Sequence, residues 1–240
     1  MKRKNMISMV TSLALVGVVA IGGTLALLVS NTDTVTNTFT VGKGYNDENP
    51  DLILDEAKVK QVTDTEEGTI GDYIETTDPR VEGNAYNNLV ADATLAKDPQ
   101  FHIDEDCQVA TSWIVAKISG VNTNLEATTL KFTDVNDEDL DNNAVTGTWY
   151  KVTKSGDTYT YNEVALNNIG NGVYIYDQGL AAGDSTEDLF QQLQVDTFVP
   201  GADPSTITVT GCAVEGVAGV DFENMRDKVM TQVDNWAFDA

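Results

Sequence analysis

The sequence predicts a mainly β protein: a jelly-roll-like antiparallel β-sandwich with one C-terminal helix, behind an N-terminal signal peptide. Three observations carry that prediction. Short runs of alternating apolar and polar residues recur between residues 34 and 214, punctuated by Gly, Asn and Asp turn signals. One stretch near the C-terminus keeps helical spacing instead. A basic, then apolar, then small-residue leader occupies residues 1–26. The 240 residues suit one large β domain or two small ones, and an apolar share of 41% is enough for a core. The organisation read here is a leader (1–26), an N-terminal strand segment (27–42) and one sandwich domain (43–240).

Taken in order, Lys2, Arg3 and Lys4 form the basic region of the leader, and residues 6–20 are mostly apolar. Gly22-Gly23-Thr24-Leu25-Ala26 supplies small residues at its end, so that Thr24 and Ala26 stand at −3 and −1 if cleavage falls before Leu27. A retained anchor is the rival reading, because residues 6–29 are long enough to span a bilayer. The glycines and small residues favour cleavage. No stable membrane span is then expected in the mature chain.

Residues 34–41 alternate without a slip. Thr34, Thr36, Thr38 and Thr40 share one face; Val35, Asn37, Phe39 and Val41 share the other, and Gly42 ends the strand. A second alternation runs through Leu52, Leu54 and Val59. Residues 63–88 are rich in Asp, Glu, Gly and Thr and read as a long solvated loop or insertion. Residues 108–118 form a strongly apolar strand closed by Gly120. Residues 147–164 read as a hairpin turning at Ser155-Gly156-Asp157. Three further strands are expected at 172–176, 192–198 and 206–214. Ser185 and Asp188 have capping-box spacing, which suggests a helical turn over 185–192. In the final helix Asp221 is the cap, and Phe222, Met225, Val229, Val233 and Trp236 share a face suited to packing on the sandwich.

The net charge of −24 excludes whole classes of partner. Nucleic acid is not expected, because no basic stripe exists to displace counterions from phosphates. Attraction to an anionic membrane face is excluded for the same reason. Loss of the leader with its three cations makes the mature chain more acidic still. Cys107 and Cys212 both lie in the mature part. An oxidising compartment permits one disulfide between them, which would close a loop of about 100 residues and contribute about 4–5 kcal/mol. Two separate buried thiols are the alternative.

The search for catalytic machinery returns little, and no enzyme is expected. The sole histidine, His102, cannot supply the paired ligands of a zincin, and no Gly-x-Ser-x-Gly elbow is present. His102 is the only imidazole for a Ser-His or Cys-His mechanism, and it reads as a surface or loop residue. Asp134, Asn136, Asp137, Asp139 and Asp141 form an oxygen-rich run that invites Ca2+. It lacks the EF-hand glycine at position 6 and the glutamate at position 12, where Asp139 and Val145 stand, so a solvated loop is the default. No other cofactor is expected.

Several motifs together resemble a known family. Gly22-Gly23-Thr24-Leu25-Ala26, Asp33 and Thr36-Asn37-Thr38-Phe39-Thr40-Val41-Gly42 are similar to the start of the TasA/camelysin family of SipW-dependent secreted proteins. Arg80-Val81, Asn84, Tyr86 and Leu89, followed by Lys97-Asp98-Pro99, resemble the segment that carries the family's Lys-Asp-Pro motif. Leu180, Gly183, Ser185-Thr186 and Leu189-Phe190 resemble its next conserved stretch, and the strand at 206–214 with the helix near Trp236 completes the order. Leu27-Leu28 depart from the aromatic usual after the cleavage site. The camelysin branch is described as proteolytic, yet this chain has no zinc-protease motif.

The resemblance implies an exported jelly-roll sandwich whose members assemble into extracellular biofilm-matrix or cell-surface fibres. A SipW-type signal peptidase would process it, other copies of the chain would be its main partner, and an accessory matrix protein is a further candidate. In such assembly one subunit's N-terminal strand, here Val35, Asn37, Phe39 and Val41, fills a groove in the next. Burying the three apolar side chains would contribute roughly 4–9 kcal/mol before ordering costs. The same strand could instead complete its own sandwich. A monomeric acidic surface module that binds calcium or a protein is the second functional expectation, and a camelysin-like peptidase the third.

Overall fold

The computed structural model describes residues 29–31, 51–121, 129–132, 149–164, 169–200 and 206–238. Among them lie thirteen strands: β1 (Val29–Asn31), β2 (Leu52–Asp55), β3 (Val59–Gln61), β4 (Tyr73–Glu75), β5 (Thr94–Ala96), β6 (Gln100–Ile103), β7 (Ser112–Ser119), β8 (Thr129–Phe132), β9 (Trp149–Ser155), β10 (Thr158–Glu163), β11 (Gly172–Tyr176), β12 (Gln192–Thr197) and β13 (Thr208–Glu215). One helix, α1 (Phe222–Phe238), follows them. The strands form a six-stranded sheet in the order β1-β13-β7-β11-β9-β10, a five-stranded sheet β3-β4-β5-β12-β8, and the pair β2-β6. Pairing is antiparallel except where β4 meets β5. The chain is an all-β sandwich-like fold with one C-terminal helix, as the alternation and the single helical stretch predict.

The central strands β7, β11 and β13 of the six-stranded sheet are buried on both faces, which explains why they read as nearly continuous apolar runs. Side chains alternate across a strand. On β7, Ile114, Ala116 and Ile118 face the second sheet and the β2-β6 pair, where Leu52, Leu54, Leu95, Phe101, Leu193 and Val195 complete the core. Trp113 and Val115 face the other way, onto Met225, Val229, Met230 and Val233 of α1. Neighbouring strands divide in the same manner, Val209 and Ala213 inward, Cys212 and Val214 toward the helix. Close approach of layers is possible at Gly211, where a Cβ would come within 2.1 Å of the Phe101 ring.

The predicted hairpin is present as β9 and β10, paired from Tyr150↔Glu163 to Ser155↔Thr158, with Gly156 at a φ of 59° in the turn. Tyrosines on its outer face fasten the helix. Tyr161 Oη donates to Asp227 Oδ1 at 2.7 Å and Tyr159 Oη to Asp234 Oδ1 at 2.8 Å. Phe222 lies 5.0 Å from the Tyr150 ring and 6.2 Å from that of Trp113, centroid to centroid. The helix therefore covers one face of the sheet, as its apolar spacing implies. Its buried residues include Met230 and Ala237, while Trp236 is only partly buried.

Three expectations need correction. Residues 185–192 form no helical turn: the backbone of Thr186 is engaged with Phe101 of β6, its N–H donating to the Phe101 carbonyl at 2.8 Å, and β12 begins at Gln192. A capping-box pattern loses here to strand-edge hydrogen bonds of longer range. Residues 63–88 are not wholly a solvated loop, since they contain β4 with its buried Tyr73. Cys107 and Cys212 are buried thiols rather than a disulfide. Cys107 belongs to the core between the sheets and Cys212 to the helix-facing core, so the six-stranded sheet stands between them.

The expected signal segment with Thr24, Ala26 and Leu27, the expected strand residues Val35, Asn37, Phe39 and Val41, and the acidic run Asp134, Asn136, Asp137, Asp139 and Asp141 lie outside the described residues. Among the described residues no helix is long and apolar enough to cross a membrane.

Candidate functional site: an ionic cluster around Lys97 and Asp98

Charged groups gather where β2 runs out and the short link Lys97-Asp98-Pro99 carries the chain from β5 to β6. Beyond β2, Glu56 makes a two-way backbone bridge with Val81, at 2.9 and 2.8 Å, which brings residues 80–86 alongside. The Lys97 N–H donates to the Gln191 carbonyl at 3.0 Å, and that of Leu189 to the Pro99 carbonyl at 3.0 Å, so the link is pinned on its other side. These backbone contacts hold the side chains in register.

Lys97 Nζ stands 2.7 Å from Glu56 Oε2, with side-chain exposures of 9% and 0%. Glu56 Oε1 accepts the Asn84 backbone N–H at 2.7 Å. The Asn84 side chain in turn accepts from Val59 N at 3.0 Å and donates to the Ala57 carbonyl at 2.7 Å. The Tyr86 ring lies over Lys97 Nζ at 5.4 Å, and its hydroxyl donates to the Ala96 carbonyl. Beside this pair, Arg80 clamps two carboxylates: Nη1 donates to Asp98 Oδ2 and Nε to Asp55 Oδ1, both at 2.6 Å. Asp98 Oδ1 also accepts the Ala57 N–H at 2.7 Å.

His102, expected as a surface or loop residue, sits on β6 opposite Ile53 and is half-buried. Its Nε2 lies 2.8 Å from Asp55 Oδ1 and its Nδ1 2.6 Å from Ser185 Oγ. With the Nε2 proton donated to Asp55, Nδ1 accepts from the serine hydroxyl. A serine, an imidazole and a carboxylate in line are the parts of a hydrolase relay. Here, however, Arg80 Nε occupies the same Asp55 oxygen that meets His102. Burial disfavours the Asp55 carboxylate, but the hydrogen bonds from His102 and Arg80 outweigh it and hold its pKa below the usual range. A carboxylate already neutralised by a guanidinium gives less stabilisation to an imidazolium. The arrangement is a clasp joining β2, β6 and the 185 loop.

Burial dominates the deeper pair. It raises the pKa of Glu56 despite the ammonium beside it, and it lowers that of Lys97 despite the carboxylate. Desolvation also pushes Asp188 up to about 6, with the Asp98 charge adding to it. The cluster thus holds carboxyl groups tuned in opposite directions within one polar island.

The structure brings together Arg80, Asn84, Tyr86, Lys97, Asp98 and Ser185, which in sequence were motif positions without a role. Sequence reasoning missed Asp55 and Glu56, since nothing distinguishes them locally among 38 acidic residues, and it read Asp188 only as part of a capping pattern. Only the apolar run Leu52-Ile53-Leu54 ahead of Asp55-Glu56 hinted that these two acids end a buried strand. Among the described residues no group of three or more His, Cys, Asp or Glu side chains is placed to hold a metal ion. Comparisons with protein-family models, curated proteins and solved structures find no match to this chain.

Proposed function

We propose that this protein is a secreted structural subunit of extracellular biofilm-matrix or cell-surface fibres, assembling by exchange of its N-terminal strand after removal of residues 1–26. The observation that supports it is the place of β1. Val29–Asn31, just beyond the proposed cleavage point, pairs antiparallel with Cys212–Val214 at the edge of the six-stranded sheet. β7 pairs with all eight residues of β13 on the opposite side, and the three described residues of β1 take the outer side. The same edge position can be filled by the same segment of another copy, because the two pairings are chemically equivalent. The alternating strand at 34–41 follows directly and would extend the pairing. The motif resemblance to the TasA/camelysin family, the acidic composition and the leader-like residues 1–26 agree with this role.

The test compares residues 27–240 with a form starting at Gly42, by size exclusion and negative-stain electron microscopy. Filaments from the longer form alone are expected. If both forms remain monomeric, with and without calcium, strand exchange is wrong and a monomeric surface-binding module becomes the better account.

A further inference from the structure

The ion pairs of the described residues differ sharply in their surroundings. Lys58–Asp78 and Lys60–Glu67 have side chains about half exposed, and Lys154–Asp234 about a quarter exposed. Those pairs stay in contact with water. Glu56–Lys97 is sealed at 0% and 9%. Burial disfavours the charged form of both partners, which moves the pair toward a neutral amine facing a neutral carboxylic acid. Those are the protonation states that amide formation requires.

We propose that Lys97 and Glu56 become joined by an intramolecular isopeptide bond, formed by the folded chain without an added catalyst. The Lys97 Nζ lone pair attacks the Glu56 side-chain carbonyl carbon, forming the C–N bond. The charge that develops on Oε1 meets the Asn84 backbone N–H, already 2.7 Å away. A proton passes from Nζ to the Oε2 hydroxyl, the C–O bond breaks, and one water leaves. An acid and an amine give an amide and water, so the step needs no oxidant or co-reactant. Confinement supplies what the reaction lacks in solution, since the two groups are held in contact within a dry site.

The surroundings favour this pair over its neighbour. The Asp98 carboxylate is already taken up by Arg80 and the Ala57 N–H, which hold both of its oxygens. The Tyr86 ring lies over the amine and helps close the site to solvent. The bond would tie the end of β2 to the β5–β6 link, enclosing β3, β4, β5 and the acidic insertion in one covalent loop. That suits a subunit exposed to the outside of a cell, where its cysteines offer no disulfide staple.

Mass spectrometry of the denatured full chain tests the proposal, with termini and crosslinks assigned by peptide mapping. The expected result is a mass one water below that of the sequence, a branched peptide joining the Glu56 and Lys97 segments, and no tryptic cleavage after Lys97. Lys97→Arg, which keeps the charge but offers no primary amine, should carry the full mass. A wild-type chain at full mass overturns the proposal, as does a water lost elsewhere with Lys97 unmodified. The wild-type measurement decides the matter even where the variant fails to fold.

Discussion

At Asp188 a single carboxyl converts burial into a pH dependence. Desolvation, then the nearby Asp98 charge, raises its pKa from 3.8 to about 6. In the unfolded chain the group ionises near 3.8, so between that value and about 6 the folded state binds the extra proton. Stability contributed by this group is therefore greatest at low pH and lost as pH rises through that window, by about 3 kcal/mol. Asp188→Asn keeps an acceptor for Gln191 Nε2 and removes the ionisation. Urea denaturation between pH 4 and 7 should show a flatter profile for the variant, and a higher midpoint at pH 7 than the parent chain. Asp55 acts in the opposite sense: its lowered pKa contributes stability that is lost only as pH falls through its folded value.

The helix α1 is the element whose removal would cost the sheet most, because β7, β11 and β13 each turn apolar side chains toward it. Val173, Ile175, Val115 and Val214 have no place in water on that face, and α1 covers them with Met225, Val229, Met230 and Val233. Met230 is fully buried. Met230→Ala should lower stability by about 2–5 kcal/mol, read from the denaturant midpoint, since it removes transferred surface and leaves a cavity. Tyr161→Phe, which loses the bond to the exposed Asp227 but keeps the ring, should cost only about 0.5–1 kcal/mol by the same measurement. If the two variants were equally destabilised, polar fastening rather than apolar covering would hold the helix. The periodicity of α1 was fully legible in sequence. The absence of a helical turn at 185–192 was not, because the competing partners Gln100, Phe101 and His102 are more than 80 residues away.

For the whole molecule, a net charge of −24 sets copies against one another. Any assembly must bring acidic surfaces together against Coulomb repulsion, and the screening length falls from about 30 Å at 0.01 M salt to about 3 Å at 1 M. Self-association of the mature chain, followed by sedimentation velocity, should therefore strengthen as sodium chloride rises. Weakening over that range would mean that contacts between opposite charges drive association, contrary to the strand-exchange account. An increase confined to calcium would point instead to bridging by carboxylates such as Asp134, Asp137, Asp139 and Asp141.

The division between chain and fold follows the range of the interactions involved. Local pattern alone determined the β class, the hairpin at β9–β10, the strands β11, β12 and β13, and the C-terminal helix, because alternation and helical spacing are properties of neighbouring residues. Tertiary structure decided which acids matter. Glu56 and Lys97 are 41 positions apart, and His102 and Ser185 are 83. Lys97 and Ser185 stand in local motifs, but nothing in those motifs names Glu56 or His102 as the partner. The two cysteines follow the same logic in reverse: their even number permits a bond, and the sheet between them decides that each is buried on its own side. Burial is a property of the assembled layers, and it is burial that raises the pKa of one glutamate and lowers that of one lysine, so that their charged forms cost more than in water.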